Sequence, residues 1–237
     1  VFHNGELVTE SGRSKKNPMD MLKLLIALGG REVSQEKMSA LLWPDAEGDA
    51  AQQTFDPTLH RLRKLMGSSR VLILREGRLS LNTDLCWLDC WNFELLQRKL
   101  EKKLSVNSND YASINRLTLE LLDLYPAHFL HNDNELPWLY GYRQSLQSKY
   151  TRTASKIGHF WQVHKQLERA LELYLRVLEM DWYLEEFYQK AMLCYKALGL
   201  RAEGLMLYQR CRMNMLQNMS ILPSLETEAI RCNLLQA

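Results

Sequence analysis

The sequence predicts a mainly α-helical chain in two parts, a small unit of three helices with β-hairpins followed by an all-α repeat domain. Three observations lead there. Glycine (11) and proline (6) are scarce in 237 residues, which favours long helices over a turn-rich sandwich or barrel. The apolar residues of the first third fall into three helical stripes and a hairpin, and those of the last third recur at a fixed period. With 46% apolar and 24% charged residues, the chain has the composition of an ordinary globular protein able to bury a core.

The elements follow in order. Val1-Phe2-His3 and Glu6-Leu7-Val8 flank Asn4-Gly5, a pair that readily takes the positive φ angles of a hairpin turn. From Met19 to Leu28, the residues Met21, Leu22, Leu24, Leu25, Ile26 and Leu28 form a broad helical stripe that Gly29-Gly30 stops. Ser34 is placed to N-cap a second helix, whose apolar face is Met38, Leu41 and Leu42 and whose exit is Trp43-Pro44. A third helix, from about Asp49 to Met66, turns Phe55, Leu59, Leu62 and Met66 inward. Pro57 interrupts it. Either the helix kinks there, or it starts there with Asp56 as N-cap, which would detach Gln53 and Thr54.

Val71 to Arg75 and Arg78 to Leu81 then form a hairpin around Glu76-Gly77. Three helices followed by a hairpin is the order of a winged helix-turn-helix, assigned to residues 1–91. Cys86 to Phe93 connects it to residues 92–237, where helices are expected near 93–104, 110–124, 136–164, 167–180, 184–198, 201–219 and 225–236. Within that half Leu171, Leu173, Tyr174 and Arg176 return as Leu205, Leu207, Tyr208 and Arg210, each 34 residues on, the tetratricopeptide period. Ala170 matches Gly204, and Trp161 matches Tyr195. The aromatics Trp138, Tyr140, Tyr142, Trp161, Trp182 and Tyr183 read as packing between hairpins rather than the lining of a groove.

No G-x-G-x-x-G, G-x-x-x-x-G-K-[ST], G-x-S-x-G or H-E-x-x-H occurs, so no catalytic residue, cofactor or metal is assigned and the chain is read as no enzyme. His128 and His131 with Asp133 read as a solvated turn, and His159 and His164, five apart, fall on different helix faces. Cys86, Cys90, Cys194, Cys211 and Cys232 are odd in number and include no C-x-x-C pair, as in thiols of a reducing cytoplasm. No apolar run reaches membrane-spanning length, and no signal pattern is present.

The charge is uneven. The whole chain is +2, but from Thr58 to Arg78 six cations, Arg61, Arg63, Lys64, Arg70, Arg75 and Arg78, face one acid, Glu76, a local +5. The polar side of the third helix carries Gln53, Thr54, Thr58, His60, Arg61 and Lys64, donors suited to base edges and phosphates, and the hairpin adds Arg70, Arg75 and Arg78. Double-stranded DNA is the partner this pattern fits. The alternative is a protein-interaction scaffold, its repeats binding a partner and its winged helix serving as a docking module.

The run Thr58-Leu59-His60-Arg61-Leu62-Arg63-Lys64-Leu65-Met66-Gly67 resembles the recognition helix of OmpR-like winged helices in the antibiotic regulatory protein (SARP) and bacterial transcriptional activator domain families. Gly30-Arg31-Glu32-Val33-Ser34 and Leu41-Leu42-Trp43-Pro44-Asp45 resemble the family's second helix and its exit, and the stretches 170–174 and 202–208 resemble its helical activator domain. The resemblance implies a bacterial transcription regulator: Thr58 and Arg61 toward bases, Arg63 and Lys64 toward backbone or structural ion pairs. It also implies helical repeats that contact RNA polymerase, other partners or a second copy. Pro57 departs from the pattern. Such domains often sit at one end of larger regulators, and the start at Val1 fits a cut from one of these or the loss of a leading strand.

Overall fold

The computed structural model describes residues 2–3, 6–7, 13–46, 48–106, 110–125, 129–130, 133 and 136–236. They divide into two compact units, 1–91 with 130–145 and 92–129 with 146–237. Mainly helical, they carry ten α-helices and two small sheets. Among the described residues no helix is long and apolar enough to cross a membrane.

In the first unit β1 (Phe2–His3) pairs antiparallel with β2 (Glu6–Leu7), and the turn expected at Asn4-Gly5 lies outside the described residues. The first helix, α1 (Arg13–Ala27), starts earlier than the apolar stripe indicates and contains Pro18. Its Met21, Leu22, Leu24 and Leu25 are at most 2% exposed. α1 ends at Gly29 and Gly30, both at positive φ, with the Gly30 amide donating to the Leu25 carbonyl at 2.8 Å. A Cβ on Gly30 would lie 2.8 Å from the Trp91 ring, whose Nε1 donates to the Gly29 carbonyl at 3.0 Å. Only glycine fits that corner.

Two-residue β3 (Val33–Ser34) leads into α2 (Gln35–Leu42), where the Ser34 hydroxyl accepts from the Lys37 amide as the N-cap. α3 (Gly48–Leu65) runs on through Pro57 as one helix, so it neither begins at Asp56 nor sheds Gln53 and Thr54. Its inward stripe is the expected one, Phe55, Leu59, Leu62 and Met66, all at most 9% exposed. A 3-10 turn at Ser69–Val71 leads to β4 (Leu72–Arg75) and β5 (Arg78–Leu81), joined at Glu76 and Gly77 with φ of 48° and 69°, as a two-residue hairpin turn of positive φ requires. The sheet order is β3-β5-β4, both pairings antiparallel, so β5 is central. Leu79 and Leu81 alternate inward from β5, and Trp138 packs against the same core.

The second unit is built from α4 (Asp89–Ser105), α5 (Tyr111–Asp123), α6 (Pro137–Val163), α7 (Leu167–Met180), α8 (Glu185–Ala197), α9 (Arg201–Met219) and α10 (Leu225–Gln236), of which α4 and α6 start in the first unit. Within the 34-residue repeat Ala170, Leu173 and Tyr174 are buried, as are Gly204, Leu207 and Tyr208. Leu171 and Leu205 are half-buried; Arg176 pairs with Asp123, and Arg210 donates to the Leu178 carbonyl at 3.3 Å. Trp161 is buried, whereas Tyr140 is 72% exposed and belongs to the first unit. Burial pushes the Cys194 thiol up and Cys211 to about 12, so both stay protonated and inert at neutral pH.

Tyr174 packs against the α6 backbone at Gly158, where a Cβ would lie 2.2 Å from its ring, and its hydroxyl donates to Gln162 Oε1 at 3.1 Å. Gly158→Ala is expected to destabilise the fold by about 1–3 kcal/mol through overpacking. Gly204→Ala meets Leu234 methyls at 3.1 and 3.3 Å and the Tyr195 Cβ at 3.4 Å and is expected to cost less. Denaturant unfolding of the two variants measures the difference.

Candidate nucleic-acid interface

Helical geometry sorts the polar residues of α3 into three groups. Gln53, His60 and Lys64 follow at steps of seven and four along the middle of the solvent face, all exposed. Asp56 and Pro57 fill the gap between them, also exposed. Arg61 is exposed on one flank, close to half-exposed Thr54, whose hydroxyl donates to the Ala50 carbonyl at 2.8 Å.

Thr58 does not join this face. It is 2% exposed and its hydroxyl donates to the Thr54 carbonyl at 2.8 Å, because position 58 lies three residues after Phe55 and four before Leu62, inside the apolar stripe. The expectation that Thr58 faces bases is therefore corrected. The spacing alone places position 58 in the apolar stripe, whatever the polarity of its side chain.

Arg63 is half-buried and turned toward the hairpin, where its Nη2 donates to the Leu72 carbonyl at 3.0 Å. Its Nε is buried as well. The guanidinium braces α3 against β4, so of the two roles expected for Arg63 the structural one is realised, through a carbonyl rather than an ion pair.

On the hairpin side Arg70, Arg75 and Arg78 are exposed. Asn82 Nδ2 donates to the Arg70 carbonyl at 3.1 Å, which fixes that backbone beside β4, and Arg78 Nη1 reaches the Glu32 carbonyl at 3.3 Å. Arg75 and Arg78 sit directly opposite each other in the β4–β5 register. Like charges at such a position repel, and the repulsion is relieved when an anion lies over them. The two-residue turn at Glu76-Gly77 already fixes this pairing in the sequence.

The Asp133 carboxylate accepts from Lys23 at 2.8 Å; His128 and His131, read with it as a solvated turn, lie outside the described residues. His159 and His164, five apart, stand at the end of α6, where the His164 amide still donates to the Phe160 carbonyl at 3.1 Å, and both residues border one groove of the second unit.

Residues 88–235 match the family model of the bacterial transcriptional activator domain. No curated protein matches the sequence. Among solved structures, EmbR of Mycobacterium tuberculosis, in complex with a low-affinity phosphopeptide, superposes with a TM-score of 0.67 at 14% identity over 96% of this chain. The match spans 60% of that chain, and at this identity it shows likeness of fold. With well over half of its length matched by the family model, the chain belongs to the bacterial transcriptional activator domain family.

Proposed function

We propose that the chain is a DNA-binding transcriptional regulator. Residues 1–91 act as a winged helix-turn-helix: α3 enters the major groove, and the β4–β5 hairpin is a wing on the phosphate backbone. The observation that carries the reading is the Arg75–Arg78 pair opposed at the hairpin tip, on the same unit as the exposed His60, Arg61 and Lys64. Such a pair costs stability in the free protein and is compensated by a polyanion.

Gln53, His60, Arg61 and Lys64 are the candidate groove contacts. Arg70, Arg75 and Arg78 are the candidate phosphate contacts, and Arg63 holds the two groups in register. Asp56 adds an acceptor on the reading face, suited to the amino group of cytosine and unsuited to phosphate. The helices from α4 to α10 serve as tetratricopeptide-like repeats for regulatory contacts, with RNA polymerase or a second copy as partners.

Selection of preferred sites from random duplexes, followed by titration at two salt concentrations, tests the reading. Affinity falls steeply with salt if phosphates are neutralised; no duplex binding at low salt would leave the scaffold alternative. Arg61→Ala is expected to weaken binding to the selected site by about 1–3 kcal/mol and to relax its sequence preference, whereas Arg75→Ala weakens all duplexes alike and lowers the salt slope by about 1. Thr58→Val is expected to leave sequence preference unchanged. Arg63→Ala is expected to lower folding stability by about 1–3 kcal/mol, read by denaturant unfolding without DNA, because it removes a charge-assisted hydrogen bond.

A further inference from the structure

The second unit carries a basic groove with no part in the DNA reading. α4 and α6 run alongside each other in parallel, tied by Lys149 to Glu94 at 2.6 Å and Lys156 to Glu101 at 2.8 Å, each across the same offset of 55 residues. Past the second tie, the last turns of the two helices border a groove of about 420 Å3. Leu104, Phe160 and Val163 give it an apolar lining, and Val163 is 63% exposed.

Its surroundings are cationic. Over residues 94–106 and 149–165 the sequence places eight Lys and Arg against two acids; Lys103 is paired with Asp110, and Glu101, which lines the groove, is held by Lys156. Arg152, Lys156, His159 and Val163 succeed one another at steps of four, three and four, one face of α6. On α4 the two acids are taken up by Lys149 and Lys156, while Arg98 and Lys102 are exposed and have no ion-pair partner among the described residues. Cations in such excess repel one another unless a partner brings negative charge.

We propose that this groove docks an acidic peptide segment anchored by one apolar side chain. Charge complementarity selects an anion-rich partner and orients its approach. The apolar lining selects peptide over a nucleic-acid backbone, which offers no side chain to fill it. An apolar residue seated on Leu104, Phe160 and Val163 is desolvated at the centre of the contact, and its flanking Asp or Glu carboxylates meet Arg98, Lys102 and Arg152 at the rim.

The test is selection of a random displayed-peptide library on the intact chain, followed by anisotropy titration of the selected peptides. Selected sequences are expected to carry Asp or Glu around a Leu, Ile, Met or Phe and to bind more weakly as salt rises. Val163→Asp and the double variant Arg98→Glu with Lys102→Glu are each expected to weaken them about tenfold or more. These substitutions change exposed side chains, so the melting transition by circular dichroism is expected to hold. Failure to select peptides, selection without acidic bias, or peptides indifferent to both variants overturns the proposal. Binding of a duplex that survives Arg61→Ala with Arg75→Ala but is lost in the Arg98 and Lys102 variant also overturns it, because the surface then contacts nucleic acid.

Discussion

Strand β5 is hydrogen-bonded on both sides, to β3, which leads into α2, and to β4, which follows α3, and the basic surface of the first unit hangs from these pairings. The Leu81 amide donates to the Gly30 carbonyl at 2.9 Å, and the Gln35 amide donates to the Gly77 carbonyl at 2.8 Å, so the same strand and its turn tie down the end of α1 and the start of α2. A slip of one residue would turn Leu79 and Leu81 out of the core and carry Arg78 inward. Burying those two leucines therefore also sets where the hairpin arginines stand.

Arginines close in sequence do different work because of what surrounds them. Arg63 gives its guanidinium to a backbone carbonyl and is half-buried, so its charge is used for bracing. Arg61, two residues earlier, is exposed on α3 and keeps its donors for solvent or a ligand. A buried guanidinium must find acceptors inside the protein, whereas an exposed one keeps water at little cost. Sequence spacing of two residues on a helix is a rotation of about 200°, enough to separate the roles.

The net charge of +2 is likewise a sum over regions that do not mix. One basic cluster lies on α3 and the hairpin of the first unit, and a second lies on α4 and α6 of the other. The second is not visible in sequence because its residues come from two stretches about 50 positions apart, joined only when Glu94 meets Lys149 and Glu101 meets Lys156.

Helix positions were legible from the chain alone. From α4 to α10 the apolar residues return every three or four places, and that period is a local property of the backbone. The β4–β5 hairpin was legible too, since Glu76-Gly77 encodes its own turn. Position 58 shows the limit: its hydroxyl suggested solvent, while its place between Phe55 and Leu62 put it in the core. The continuity of α3 through Pro57 and the pairing of Val33 with Leu79 were decided by tertiary structure. Burial of the α3 stripe offsets the hydrogen bond that proline removes, and a two-residue strand forms only when a partner 46 residues away is already in place. Local periodicity and turn chemistry determine which elements form; which of their polar side chains are exposed is decided by what packs against them.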